Sequence, residues 1–154
     1  MKIQFKKNGN QHVISYIRDD QNNHWLIAND FLVLHDLSHY AIEKTLGYQH
    51  AFWGLIKSGI HPSDFEDREK RKQWMLSDEA WYAECMANLF LMELTQGEFH
   101  DFNDVFSSSL STTNPEIPIL NLSDEIINQI RIYYKQLIVS WRDLTNGQFI
   151  TLEF

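Results

Sequence analysis

Apolar residues recur at every second position near both ends of the chain and with helical spacing between them. Ile3 and Phe5, then Val13 to Ile17, flank an Asn8-Gly9-Asn10 turn. Asn-Gly readily adopts the positive backbone angles of a tight hairpin, so two paired strands are predicted there. A second turn over Asp19 to Asn23 leads into a third strand from Trp25 to Ala28. Asp30 is placed to cap a helix from Phe31 to about Leu46, and Gly47 suits its stop. Ala51 to Lys57 reads as a short apolar helix closed by Ser58-Gly59. His61-Pro62-Ser63 begins another short segment, and a charged run to Lys72 follows.

Ser77 followed by Asp78 and Glu79 marks the start of a helix that continues to Thr95 and stops at Gly97. Phe99 to Leu110 predicts a short helix, while Ser107 to Pro118 is loop-like. Ser123 caps a last helix whose residues Ile126, Ile130, Tyr133, Leu137, Trp141 and Leu144 share one face. An Asn146-Gly147 turn and the alternating tail from Phe149 to Phe154 predict a final strand, which pairs with the N-terminal hairpin. The expectation is a single α+β domain over residues 1–154: a small antiparallel sheet, formed by the N-terminal strands and a C-terminal one, packed against several helices.

At 154 residues the chain is long enough to bury a core without disulfide or metal. An aromatic share of 14% is high, and large rings fill cores and line ligand pockets alike. The formal charge of −8 repels phosphate backbones and anionic lipid, which argues against nucleic acid and membrane surfaces as partners. A small molecule or a basic protein fits that charge better. The basic cluster from Arg68 to Lys72 is interrupted by Glu69 and reads as a solvated helix face. The lone Cys85 rules out an internal disulfide and fits a reducing compartment. MKIQFKKNGNQ is charged with no apolar core behind it, so no signal peptide is expected, and cytoplasmic is the expected address.

One segment carries chemistry. On the Phe31 to Leu46 helix, at about 100° per residue, His39 lies about 40° from His35, Glu43 about 80° and Asp36 about 100°. Phe31, Leu32, Ile42 and Leu46 share that sector, so these polar groups fall on the face expected to be buried. Histidines four apart project from one side of a helix and can grip one metal ion, as in the HExxH zinc motif. Here the segment reads HDLSH, with Asp36 where that motif carries its general-base Glu. Asp is one methylene shorter, so its carboxylate falls short of that position. Two histidines hydrogen-bonded to carboxylates or backbone in the core are the alternative. Glu43 is too far along the helix axis to share a ligand position with His35, but it can approach His39 and fix its ring.

A third ligand is then expected from another element. On the Asp78 to Thr95 helix, Glu84 sits among Ala80, Ala87, Leu91 and Thr95, with Glu79 and Glu93 on the far side facing water. A carboxylate at the centre of that small, apolar face needs a partner. The candidate site is therefore a divalent, zinc-like metal held by His35, His39 and Glu84, with Asp36 and Glu43 as catalytic carboxylates supporting hydrolysis. The competing reading is a non-catalytic acidic binding domain in which the same groups form a structural network. Cys85 reads as a small core residue. His12, His24, His50, His61 and His100 are isolated, although His100 with Asp101 offers a loop ligand.

The stretch from His35 to Gly59, HDLSHYAIEKTLGYQHAFWGLIKSG, resembles a pattern in small bacterial proteins, in which HDLxHYxxE is followed by LG and FWGL. The matching residues are His35, Asp36, His39, Tyr40, Glu43, Leu46, Gly47 and Phe52 to Leu55. The resemblance covers about a sixth of the chain. It implies a bacterial source and no particular activity.

Overall fold

The computed structural model describes residues 1–18, 23–65, 67, 69–70 and 76–154. The expected turn over Asp19 to Asn23, apart from Asn23, and most of the basic cluster (Arg68, Arg71 and Lys72) lie outside those residues; Glu69 and Lys70 are exposed. Strands β1 (Lys2–Lys6), β2 (His12–Ile17) and β3 (Asn23–Ala28) form a meander, and β4 (Phe149–Glu153) joins its far edge. The order is β3-β2-β1-β4, antiparallel throughout, with Ile3 opposite both Tyr16 and Leu152. The chain ends meet: Met1 N donates to Phe154 O and Phe154 N to Met1 O, each at 2.8 Å. Ile3, Phe5, Ile14 and Tyr16 line the buried face of the sheet.

Helix α1 (Asp30–Leu46) packs on this sheet, flanked by α3 (Asp78–Gln96) and α5 (Asp124–Arg142). Every residue from Asp36 to Glu43 is buried. A helix covered on all sides loses the single-faced pattern that a surface helix shows, so the buried face read from the sequence widens here to the whole mid-section. Its N-cap is Asn29, whose Oδ1 accepts Leu32 N at 2.9 Å, and not Asp30 as the sequence implied. Asp30, in the first turn, instead accepts the Trp141 indole N–H at 3.1 Å and lies 3.1 Å from His12 Nε2.

Helix α4 (Phe102–Thr113) runs through the serine-rich stretch expected to be loop. Phe102, Phe106 and Leu110, four apart, are buried, and Phe102 stacks on Phe90 of α3 at 4.8 Å. That burial overrides the weak helix preference of the serines and threonines. On α5 the buried set is Ile127, Ile130, Tyr134, Leu137, Ile138 and Trp141, so the face is turned from the expected one at Ile126, Tyr133 and Leu144. Helix α2 (Phe52–Ser58) and a 3-10 turn over Pro62–Phe65 complete the described elements. Among the described residues no helix is long and apolar enough to cross a membrane.

Candidate metal centre

His35 and His39 stand one turn apart on α1 with their rings 4.8 Å from centre to centre. Both turn Nε2 toward Glu84 on α3: His39 Nε2 lies 3.1 Å from Oε2 and His35 Nε2 lies 3.7 Å from Oε1. One ligand atom from each of the three residues falls within 4.8 Å of the others, the one such cluster among the described residues. Ligand atoms about 2.0–2.2 Å from a tetrahedral zinc stand roughly 3.3–3.5 Å apart. The 3.1 and 3.7 Å separations of the two histidines from Glu84 bracket that spacing.

The opposite ring nitrogens also meet carboxylates. His35 Nδ1 lies 3.6 Å from Asp36 Oδ1, and His39 Nδ1 lies 3.4 Å from Glu43 Oε1. Each imidazole thus has one nitrogen toward the cluster and the other toward a buried acid, the arrangement that orients metal-binding histidines.

Glu43 has a second duty. Ala51, the N-cap of α2, has no side chain able to cap. The Glu43 carboxylate accepts Trp53 N at 3.0 Å and Gly54 N at 3.2 Å in its place. The Trp53 indole N–H reaches back to the Asp36 carbonyl at 3.1 Å. Gly54 is obligatory in this joint, because a Cβ there would lie 2.1 Å from Gln49 O. Glu43 is only 1% exposed and stands behind His39, away from the pocket described below. Of the two carboxylates expected to be catalytic, Glu43 is thus brought to His39 and to the start of α2. Asp36 is also buried but does line the pocket.

Glu84 is not embedded in the apolar face of α3 as expected. Its side chain is 57% exposed, because α1 and α4 cover α3 on either side of it and leave it at a rim. Glu93, expected to face water, is instead 6% exposed and paired with Arg131 at 2.7 Å. Cys85 is buried as expected, its Sγ 3.9 Å from Phe106 O.

Burial pulls the His39 pKa down, but hydrogen bonds and charge from Glu43 and Glu84 outweigh it and raise the group to about 9. His35 is raised as well: burial opposes the shift, and Asp36 and Glu84 prevail. Burial pushes the Asp36 and Glu43 carboxyls up against the pull of the histidines. Desolvation would raise Glu84 too, but its bonds to His35 and His39 hold it well below the usual carboxylate range. Without an ion, the cluster is a charged His39–Glu84 pair.

The histidines and Glu84 open onto a pocket of about 400 Å³ between α1, α2 and α3. Its remaining wall is apolar, with Leu26, Leu32, Phe52, Phe65, Leu76 and Trp81. Phe52 packs on His39 at 5.1 Å and on Phe65 at 5.0 Å, which carries an aromatic surface from the cluster outward. The sequence did not mark these wall residues as functional, since only the fold assembles them. A larger cleft of about 620 Å³ around His100, Asp101 and Arg131 lies apart from the cluster, so the His100–Asp101 pair is not brought to the histidines. His24 and His61, isolated in the sequence, meet with rings 4.7 Å apart. Comparisons with protein-family models, with curated proteins and with solved structures each found no match.

Proposed function

We propose that this protein binds a divalent metal ion of the zinc class through His35, His39 and Glu84 and uses it to hydrolyse a small substrate held in the adjoining pocket. The observation that carries this reading is the matched wiring of two imidazoles. Each points Nε2 at one carboxylate and Nδ1 at a separate buried acid. A purely structural histidine needs partners, but two with the same polarity converging on one point are what a metal requires. Three protein ligands leave a coordination position open, as catalytic zinc sites do. A bound ion supplies Lewis acidity and lowers the pKa of a water it holds. In this scheme Glu43 fixes the His39 ring, Asp36 orients His35 at the pocket wall, and the apolar lining excludes bulk water.

A second reading, a non-catalytic ligand-binding domain with a structural His/Glu network, is favoured by the 3.1 Å His39–Glu84 contact, which pairs His39 Nε2 with a carboxylate without an ion.

Metal analysis of protein purified without chelator or nickel resin separates the two. The proposal expects about one zinc per chain, lost in His35→Ala and in His39→Ala. Protein that stays metal-free after dialysis against micromolar zinc at neutral pH overturns it.

A further inference from the structure

We infer that the pocket selects an uncharged, largely apolar small molecule, with an aromatic or branched body and one compact neutral polar head directed at His35, His39 and Glu84. The inference rests on the metal-site reading only for the identity of the polar end.

Size sets the first limit. A volume of about 400 Å³ falls at the small end of ligand pockets, which suits a small molecule. Polarity sets the second. Among the described lining residues the ionisable groups are His35, Asp36, His39 and Glu84, which cluster together. No lysine or arginine is among the described lining residues. Phosphate, sulfate and carboxylate groups are held by guanidinium and ammonium donors or by helix N-termini. At that end the ring nitrogens of His35 and His39 already face Asp36, Glu43 and Glu84. An anionic head would therefore meet acidic oxygens, and the net charge of −8 works against it at longer range.

The wall sets the third limit. Phe52 and Phe65 form a continuous aromatic side that starts at the His39 ring. Trp81 and Leu76 border the pocket from α3 and the segment before it, and Leu26 and Leu32 from β3 and α1. A flat or branched hydrocarbon body matches these surfaces, and burying it supplies most of the affinity. Leu32 is 42% exposed, so it can be changed without disturbing the core.

The test uses the full chain, zinc-free and zinc-loaded, with the neutral fluorophore N-phenyl-1-naphthylamine as probe. Its fluorescence should rise saturably in both forms. In zinc-free protein, phenylacetamide should displace it about 10-fold or more better than phenylacetate, which has the same body with a carboxylate head. Ala80→Trp, which fills the pocket, should abolish probe binding, and Leu32→Lys should weaken it several-fold while leaving zinc content unchanged. If Ala80→Trp fails to fold, Leu32→Lys decides alone. Probe binding with no zinc uptake sinks the metal reading and leaves this inference standing. Zinc uptake without probe binding does the reverse. Equal displacement by the two competitors, or probe binding indifferent to the folded variants, overturns the inference.

Discussion

The Glu43 carboxylate accepts the backbone N–H of Trp53 at 3.0 Å, so a side chain of α1 caps the start of α2. The same group lies 3.4 Å from His39 Nδ1. One buried acid thereby links the joint between two helices to the orientation of the candidate ligand, and its two duties can be separated by mutation. Glu43→Ala leaves two buried N–H groups unpaired, and thermal or urea unfolding should show a loss of about 2–4 kcal/mol. Glu43→Gln keeps an acceptor for the amides and should cost less stability. It should still weaken zinc binding by about 10–100-fold, measured by competition with a chromophoric chelator. Equal effects of both variants on stability would show that the capping bonds do not matter.

Gly54 tests the same joint from the other side. A Cβ at this position would meet Gln49 O at 2.1 Å, and that neighbour is backbone. Gly54→Ala should destabilise the fold by about 1–3 kcal/mol or more, even though alanine is the better helix former. A neutral or stabilising result in urea denaturation would mean that the 49–50 loop yields.

Glu84 should matter more to metal than to folding. Because its side chain is 57% exposed, water screens the pair it makes with His39. Glu84→Ala should cost the zinc-free protein no more than about 1 kcal/mol. The same change should reduce zinc affinity by orders of magnitude, read by titration calorimetry. A large stability loss together with unchanged zinc binding would reverse these roles.

The pH dependence follows from the raised histidines. A group whose folded pKa exceeds its unfolded value stabilises the fold at low pH and loses that contribution as pH rises. His39 moves from 6.5 to about 9, so its contribution is complete below pH 6.5 and is lost toward pH 9. His35, Asp36 and Glu43 are raised as well and act in the same direction. Glu84 is lowered, so its contribution holds above the ordinary carboxylate range and is lost only in acid. Zinc-free protein should therefore be less stable at pH 9 than at pH 6, by on the order of 2–3 kcal/mol from His39. His39→Gln should flatten that slope. Excess zinc should reverse it, because an ion competes with the proton for the same nitrogen.

Cys85 is a packing residue. Burial pushes its thiol pKa up, which lowers the thiolate fraction at neutral pH. A disulfide reagent should label it slowly in the native state and rapidly in denaturant. Fast native labelling would mean that the contact between α3 and α4 opens readily.

Local signals in the chain were enough for the strands, the two Asn-Gly turns and most helix ends. The Asn-Gly turns, the alternation around Ile3, Phe5 and Ile14, and the caps at Ser77 and Ser123 all rest on interactions among near neighbours, and the structure contains each of them. The convergence of His35 and His39 was also local, because four residues are about one helical turn. The rest required distant parts of the chain to meet. Asn29 caps α1 while Asp30 is drawn to Trp141, 111 positions away. Ser107 to Thr113 stays helical because Phe106 and Leu110 find a covered surface. Glu43 caps α2 because that helix starts against it, and Glu84 meets both histidines from a rim. Periodicity assigns a residue to a face of its own helix. How completely that face is covered depends on the neighbouring elements, and that coverage decided burial, pKa and the shape of the pocket.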